Sequence, residues 1–343
     1  MRLHALQYLR AIAALVVVYS HACIQVPAYR AQLIEFGSFG VDIFFVISGF
    51  IMLYISKPDH TPVNFMLNRF RRVAPLYWFF TLLMALIFLV MPSVFTNTEL
   101  RAEALIKSLL FIPHFSGAHP GEIWPIVAPG WSLNYEMYFY LVFALSLFTA
   151  MRYRLVLISL VIFAVFIFAR MNLTGGPINQ FFADDVVFEF VFGMLLAYLW
   201  KRGVRFSSAF GYFLFVAGFV LLMLYSQRAA LGGSELPGIL IKGVPAAMIV
   251  AGTLFINIRE SKLGVLLGDA SYALYLSHIF VLGLMRFVLP PLLGDGQVAA
   301  YLFVGISLVV CLVVSVPIHT YIDNWLLRHE RFSTVRAPSH NEA

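Results

Sequence analysis

Apolar runs of about 20 residues recur along this chain, and nothing else in it constrains the fold so strongly. That is the length an α-helix needs to cross a hydrocarbon layer ~30 Å thick. Ten such runs can be marked: 8–27, 37–55, 74–92, 131–148, 154–170, 184–200, 207–225, 238–257, 269–289 and 298–318. Inside lipid every backbone N–H and C=O must be satisfied within the protein. The reading is therefore an all-α, polytopic integral membrane protein with about ten transmembrane helices. Composition agrees: of 343 residues, 61% are hydrophobic and only 12% charged, where a soluble domain carries roughly a quarter. Residues 1–325 are read as one membrane domain and 326–343 as a short polar cytoplasmic tail. The first run is read as a retained helix rather than a signal peptide.

A net charge of +6 raises the question of nucleic acid. The basic residues argue against it, because they sit in short clusters between apolar runs, as membrane topology requires. Placing both termini in the cytoplasm gives inner connections about three times the Lys and Arg of outer ones. The tail adds Arg328, Arg331 and Arg336 to the inner set. The two cysteines, Cys23 and Cys311, lie in apolar context, which excludes a disulfide framework and a zinc site; no metal is expected. Small residues in the second run, Gly37, Gly40 and Gly49, allow close helix approach or local unwinding. Pro75 is expected to open the third span. The longest outer connection, 93–130, is expected to hold a re-entrant or interfacial helix over 100–112.

Ionisable residues inside such runs are the informative ones, since each is costly unless paired. His21 falls in the outer half of the first span, Asp42 near the start of the second and Glu136 near the start of the fourth. Counted from the span ends, the three share one layer to within about a turn. A histidine with a carboxylate is a natural general base. Each residue also has a plainer reading, as a helix-crossing hydrogen bond, an interfacial acid or a stabilising ion pair. Arg10, Arg69, Arg71 and Arg72 gather at the inner face. They are either topology signals that snorkel to headgroups or a clamp for a phosphorylated ligand. In the ninth span, "SYALYLSH" aligns Tyr275 with His278 three residues on, with Arg286 two turns beyond. That stripe is a polar pathway or a packing seam. No GxxxxGK[ST], GxGxxG or HExxH motif is present.

Taken in order, these residues resemble the acyltransferase-3 family of integral-membrane O-acyltransferases, and within it the exopolysaccharide-production branch. The resemblance rests on Arg10, ten residues and then His21; on "GVDIFFVISGF" (40–50) with Asp42; on "RRVAPLYW" (71–78) with Tyr77 and Trp78; on "WSLNYEMYFY" (131–140) with Trp131, Ser132 and Glu136; and on "SYALYLSH" (271–278). It runs from residue 5 to about 325. The family often closes its last helix with a Glu-Pro element, where this chain has "HTYIDNWL" with Asp323 and no proline.

The resemblance implies acetyl-CoA as acyl donor and a hydroxyl of a polysaccharide or lipid-linked oligosaccharide as acceptor, in a bacterial inner membrane. Donor binding would fall to Arg10, Arg69, Arg71, Arg72 and Tyr77, and catalysis to His21, Asp42 and Glu136. The acceptor or its pathway would involve Trp131, Ser132, Tyr275, His278 and Arg286. His21 would either carry the acetyl group itself or act as general base for direct transfer. A succinyl or longer acyl donor stays open. So do a polysaccharide or lipid-linked-sugar flippase and a non-catalytic scaffold. Membrane lipids, a homo-oligomer or an exopolysaccharide export complex are the expected partners.

Overall fold

A computed structural model describes residues 4–30, 32–33, 39–91, 100–171, 175–230 and 237–327, with 226–230 as backbone alone. Gly37 and the tail beyond Leu327, with its three arginines, lie outside the described residues. The described elements are helices: α1 (His4–Gln25), α2 (Gly40–Ile55), α3 (Pro62–Val90), α4 (Ala102–Leu109), α5 (Trp131–Ser146), α6 (Met151–Met171), α7 (Phe188–Lys201), α8 (Ser208–Ala230), α9 (Val244–Phe255), α10 (Lys262–Asp269), α11 (Ser271–Val288) and α12 (Gln297–Pro317). Short helical turns at Pro27–Arg30, Ala128–Gly130, Pro177–Phe182, Asp185–Val187 and Pro290–Leu293, and π-helical stretches at Ile239–Gly243 and Ile318–Asp323, complete the described set.

A helix occupies each of the ten expected segments, but not all are built alike. Among the described residues, six helices are long and apolar enough to cross a bilayer: α1, α3, α6, α8, α11 and α12, the last running on to Leu327. Two shorter apolar helices, Gly40–Ile55 and Ile239–Phe255, accompany them. The remaining two, α5 and α7, have 16 and 14 residues, about 24 and 21 Å, short of ~30 Å. The count of ten was read from hydropathy alone. What the fold shows is a multi-span helical protein with six clear spans.

Helix α2 is at the centre, and glycine puts it there. A Cβ at Gly49 would meet the Phe190 backbone of α7, and one at Gly193 the Val46 carbonyl of α2. Each helix thus offers a glycine to the other's backbone, the close approach that small residues permit where lipid provides no hydrophobic drive. The C-terminal end of α2 meets two cations. Lys201 Nζ donates to the Leu53 carbonyl at 2.8 Å and the Ser56 carbonyl at 3.3 Å. Arg154, 1% exposed, donates to the Lys57 carbonyl at 3.1 Å. Carbonyls left over at a helix C-terminus carry partial negative charge, so these cations satisfy and neutralise that end.

The third helix departs from expectation. It opens at Pro62, not at Pro75, with the Thr61 hydroxyl accepting the Asn64 N–H at 3.3 Å. Pro62 sits in the first turn, where a missing N–H costs nothing. Pro75 lies inside the helix and removes a donor from the ladder; burial of Val73, Ala74, Leu76 and Tyr77 around it holds the helix together. As a result Arg69, Arg71 and Arg72 are on a helix, and Arg69 and Arg72, three apart, share one face that Arg71 does not. The helix expected over 100–112 in the long connection is present as α4, over the shorter range Ala102–Leu109. The connection is tied down: Trp78 donates its indole N–H to the Leu109 carbonyl at 2.7 Å, and Ser108 accepts the Ile126 N–H at 3.0 Å.

Candidate active site

A cavity of about 250 Å³ opens between α1, α2, α3, α5 and α11. Arg10, Arg69 and Arg72 line it, together with Ser48, Ser132, Glu136, Tyr140, Tyr272 and Tyr275. Each arginine is set differently. Arg10 Nη1 donates to Gln7 Oε1 at 2.9 Å, and Gln7 in turn donates to Asp269 Oδ1 at 3.0 Å. Arg72 Nη1 holds both oxygens of Asp323, at 2.9 and 3.2 Å, while its guanidinium lies 5.4 Å from the Tyr272 ring centroid. Arg69 packs at 6.0 Å over Phe65, and its Nε is buried without a hydrogen-bond partner. A buried charged donor without an acceptor is costly, so an anion at this place would be favoured. Against the three cations stands Glu136, bonded to Tyr140 and at 3.3 Å to Ser48.

A chain of side-chain contacts links the cavity wall to two histidines. Tyr272, Tyr275 and His278 form one stripe on α11, three residues apart each time. Tyr272 and Tyr275 line the cavity. The Tyr275 hydroxyl donates to the Pro129 carbonyl at 2.8 Å and meets Ser132 Oγ at 2.8 Å, and its ring is 6.1 Å from that of His278. His278 Nε2 lies 3.0 Å from His21 Nδ1. The shared hydrogen bond leaves His21 Nε2 for chemistry. His278 is fully buried, and its Nδ1 has no hydrogen-bond partner.

The structure separates three residues that span-end counting had placed in one layer. His21 hydrogen-bonds a histidine, not a carboxylate. A Cβ at Gly40 would strike the Ala13 carbonyl and Val17. Helix α2 therefore starts against the middle of α1, four to eight residues or about 6–12 Å short of His21. Asp42 turns to α7, where it faces the 1%-exposed Glu189. Glu136 faces the arginine cavity. Depths had been counted from hydropathy boundaries, and a helix that begins deep inside the protein defeats that count.

Other expected residues fall as follows. Arg71 is not among the residues lining the cavity. Tyr77 is buried against Phe111, ring centroids 5.0 Å apart, on the side facing the 128–130 turn. Arg286 sits in the last turn of α11 with its guanidinium 4.7 Å from the Phe287 ring. Trp131 looks out of the cavity into a second pocket, described below. Among the described residues, no cluster of His, Cys, Asp or Glu is arranged to hold a metal ion.

Asp323 was read only as a departure from the family pattern, yet it anchors Arg72 and, at 2.9 Å, His319. Its four-residue spacing from His319 inside an apolar run was the available signal. Pro317 removes an N–H just before it, and the backbone continues as a π-helical stretch, Ile318–Asp323. Glu189 was missed too, though an acid inside the 184–200 run marks itself.

A family profile described as an acyltransferase domain matches residues 3–320. The exopolysaccharide production protein ExoZ of Rhizobium meliloti (strain 1021) is 37% identical to the chain, over 73% of the chain and 78% of that protein. Acyltransferase MdmB of Streptomyces mycarofaciens is 24% identical over 95% of the chain and 92% of its own length. No solved structure matches. With a family match over nearly its whole length, a histidine pair beside an arginine-lined cavity and six clear spans, the chain belongs to the acyltransferase-3 family and is a membrane acyltransferase.

Proposed function

We propose that this protein moves an acetyl group from cytosolic acetyl-CoA to a hydroxyl of a secreted or lipid-linked polysaccharide on the outer side of a bacterial inner membrane. Its termini lie in the cytoplasm. The observation that carries the reading is the Tyr272–Tyr275–His278 stripe, which joins the arginine cavity to His21. The name of the exopolysaccharide relative supports the acceptor class.

The residues fit the donor as follows. At about 250 Å³ the cavity is below the ~300–1,000 Å³ of sites that hold a whole small ligand. It suits the pantetheine arm and thioester, with the nucleotide toward the cytosolic mouth. Arg10, Arg69 and Arg72 supply charge-assisted donors to phosphate oxygens. Arg69, with its unpartnered buried Nε, gains most.

His21 Nε2 then takes the proton of the acceptor hydroxyl as the oxygen attacks the thioester carbonyl. This requires the tautomer in which His21 Nδ1–H donates to His278 Nε2 and His278 carries its own proton on Nδ1. The imidazolium formed on His21 keeps that hydrogen bond, now charge-assisted. When the tetrahedral intermediate collapses, the C–S bond breaks and the departing thiolate takes the proton from His21 Nε2. The products are ester and free CoA thiol. Glu136, held by Tyr140 and Ser48, sets the field among the arginines rather than touching the base.

The test uses purified protein in lipid nanodiscs with radiolabelled acetyl-CoA and a de-O-acetylated polysaccharide. Transfer of label to glycan, abolished in a folded His21→Ala variant, is expected. Full transfer by that variant would overturn the reading, and glycan translocation without acyl-CoA consumption would make the protein a flippase. Label trapped on His21 without acceptor would replace direct transfer by an acetyl-histidine relay.

A further inference from the structure

A second pocket, of about 360 Å³, lies beyond the first turns of α5 and is lined by Gly121, Glu122, Ile123, Trp124, Trp131, Tyr135, Gln180, Phe181 and Asp184. Trp131 and Tyr135, four apart, point into it, while Ser132 and Glu136, each one residue on, point into the arginine cavity. One helix thus presents one face to each space. Its volume falls within the ~300–1,000 Å³ range of small-molecule sites.

The pocket is built rather than incidental. Tyr135 stacks on Phe181, ring centroids 4.0 Å apart and 18° between planes, and its hydroxyl donates to the Phe181 carbonyl at 3.0 Å. The loop that carries Glu122 and Trp124 is closed by its own hydrogen bonds. Ser116 N–H donates to the Glu122 carbonyl at 2.8 Å, and Ser116 Oγ accepts the N–H groups of Ala118 and His119 at 3.2 Å. Gly121, at φ +90°, makes the turn that few other residues would adopt. Trp124 is propped by His119, centroids 4.9 Å apart. Asp184 Oδ1 caps Val186 N–H at 3.0 Å, and Gln180 Nε2 donates to the Gly175 carbonyl at 3.1 Å, which fixes both side chains at the rim. Neither indole N–H, of Trp124 or Trp131, has a hydrogen-bond partner among the described residues.

Two half-buried indoles whose N–H groups have no partner among the described residues, two carboxylates and an amide, with no Lys or Arg among the described lining residues, form a specific chemical surface. Indole faces take the C–H side of a ring, while the N–H and carboxylate groups take its hydroxyls. The carboxylates repel an anion. We infer that this pocket binds an uncharged pyranose of the acceptor glycan, and that it excludes sugars bearing phosphate or carboxylate. The inference rests on the acetyl-transfer reading above and adds to it where, and in what charge state, the acceptor docks.

The experiment measures acetyl transfer in nanodiscs to a short, neutral, de-O-acetylated oligosaccharide cut from the cell's own surface polysaccharide. The same oligosaccharide carrying a uronic acid serves as the charged probe. Trp124→Ala is expected to raise the KM for the neutral acceptor about tenfold with the acetyl-CoA KM unmoved, and Trp124→Phe to restore most of it. Asp184→Asn is expected to narrow the preference for the neutral over the charged probe. An unchanged acceptor KM in folded Trp124→Ala, or equal use of neutral and charged probes by the unaltered protein, would overturn the inference. If the unaltered protein acetylates nothing, the functional reading itself fails, and saturation-transfer NMR with the neutral oligosaccharide still decides the pocket. Loss of its signal in Trp124→Ala supports binding there; no signal from the unaltered protein refutes it.

Discussion

Replacing His278 by leucine removes the side-chain hydrogen-bond partner of His21 and puts a buried apolar side chain of similar length in its place. The size of the effect can be worked out. In the resting state the bond is neutral to neutral, worth about 1 kcal/mol, and once His21 becomes an imidazolium it is worth about 1.5–3 kcal/mol. Only the difference, about 0.5–2 kcal/mol, acts on the chemical step. At ~1.4 kcal/mol per decade that lowers kcat by about 2–30-fold. Loss of the His278 acceptor adds to this, because it is the group that selects the Nδ1–H tautomer in this reading. Donor and acceptor KM should move little, since neither substrate touches His278. His278→Gln, whose amide oxygen can accept the Nδ1–H, should recover part of the rate. The assay is steady-state transfer in nanodiscs with fold checked by thermal melting in detergent. A folded His278→Leu with unchanged kcat, or one whose loss appears entirely in KM, would refute the positioning role. A kcat loss that glutamine does not relieve would mean His278 acts by bulk alone.

Other predictions follow from neighbouring geometry. Replacing Arg69 by glutamine removes a charge-assisted donor worth ~1.5–3 kcal/mol and should raise the acetyl-CoA KM about 10–100-fold, whereas Arg71→Gln, off the cavity face, should change it far less; equal effects would return these arginines to topology alone. Gly193→Ala drives a methyl into the Val46 carbonyl and should cost about 1–3 kcal/mol, read as a lowered melting temperature; an unshifted melt would show that α2 and α7 can separate freely. Asp323→Ala leaves Arg72 and His319 without their buried partner and should destabilise by several kcal/mol at most, since Arg72 is one-third exposed; a donor KM that stays constant would show that Arg72 does not need Asp323 to hold its pose.

Which parts of this were legible in the sequence depended on range. A helix lies in each of the apolar runs, six of them clear spans, because hydropathy is a local property and lipid leaves no other way to satisfy the backbone. Arg10, Glu136, Ser132 and Tyr275 were singled out as polar residues in the wrong solvent, and they meet in one cavity. Pairing was not legible. His21 was matched to a carboxylate, but its partner is a histidine 257 residues away. Asp42 was matched to His21, but it faces Glu189. Both errors trace to Gly40, whose contact with Ala13 sinks the start of α2 toward mid-helix α1; a hydropathy window sees a span end, not how deep a neighbour lets it start. Pro75 misled for the opposite reason. A proline is a local stop signal, and burial of the residues around it overrode that signal.

An acyltransferase that works across a bilayer must pass an acyl group without passing water, and the wall between the two spaces is two aromatic side chains thick. Phe45 lines the arginine cavity. Its ring meets Trp131 and Tyr135 edge-on, at 6.3 and 6.1 Å, and those two line the outer pocket. Behind it Phe190 packs at 4.7 Å, so the ring is wedged and 3% exposed. Phe45→Ala removes the inner layer and leaves only Trp131 and Tyr135 between spaces of about 250 and 360 Å³. The direct cost in stability is about 3–5 kcal/mol, so Phe45→Leu is the gentler companion. If the wall keeps water from the thioester, hydrolysis of acetyl-CoA without any glycan should rise in both variants, more in alanine than in leucine. Transfer to glycan should fall as water competes for the same carbonyl. Folded variants that hydrolyse no faster than the unaltered protein would show that the donor's thioester never reaches this wall, and that the acyl group crosses by another path.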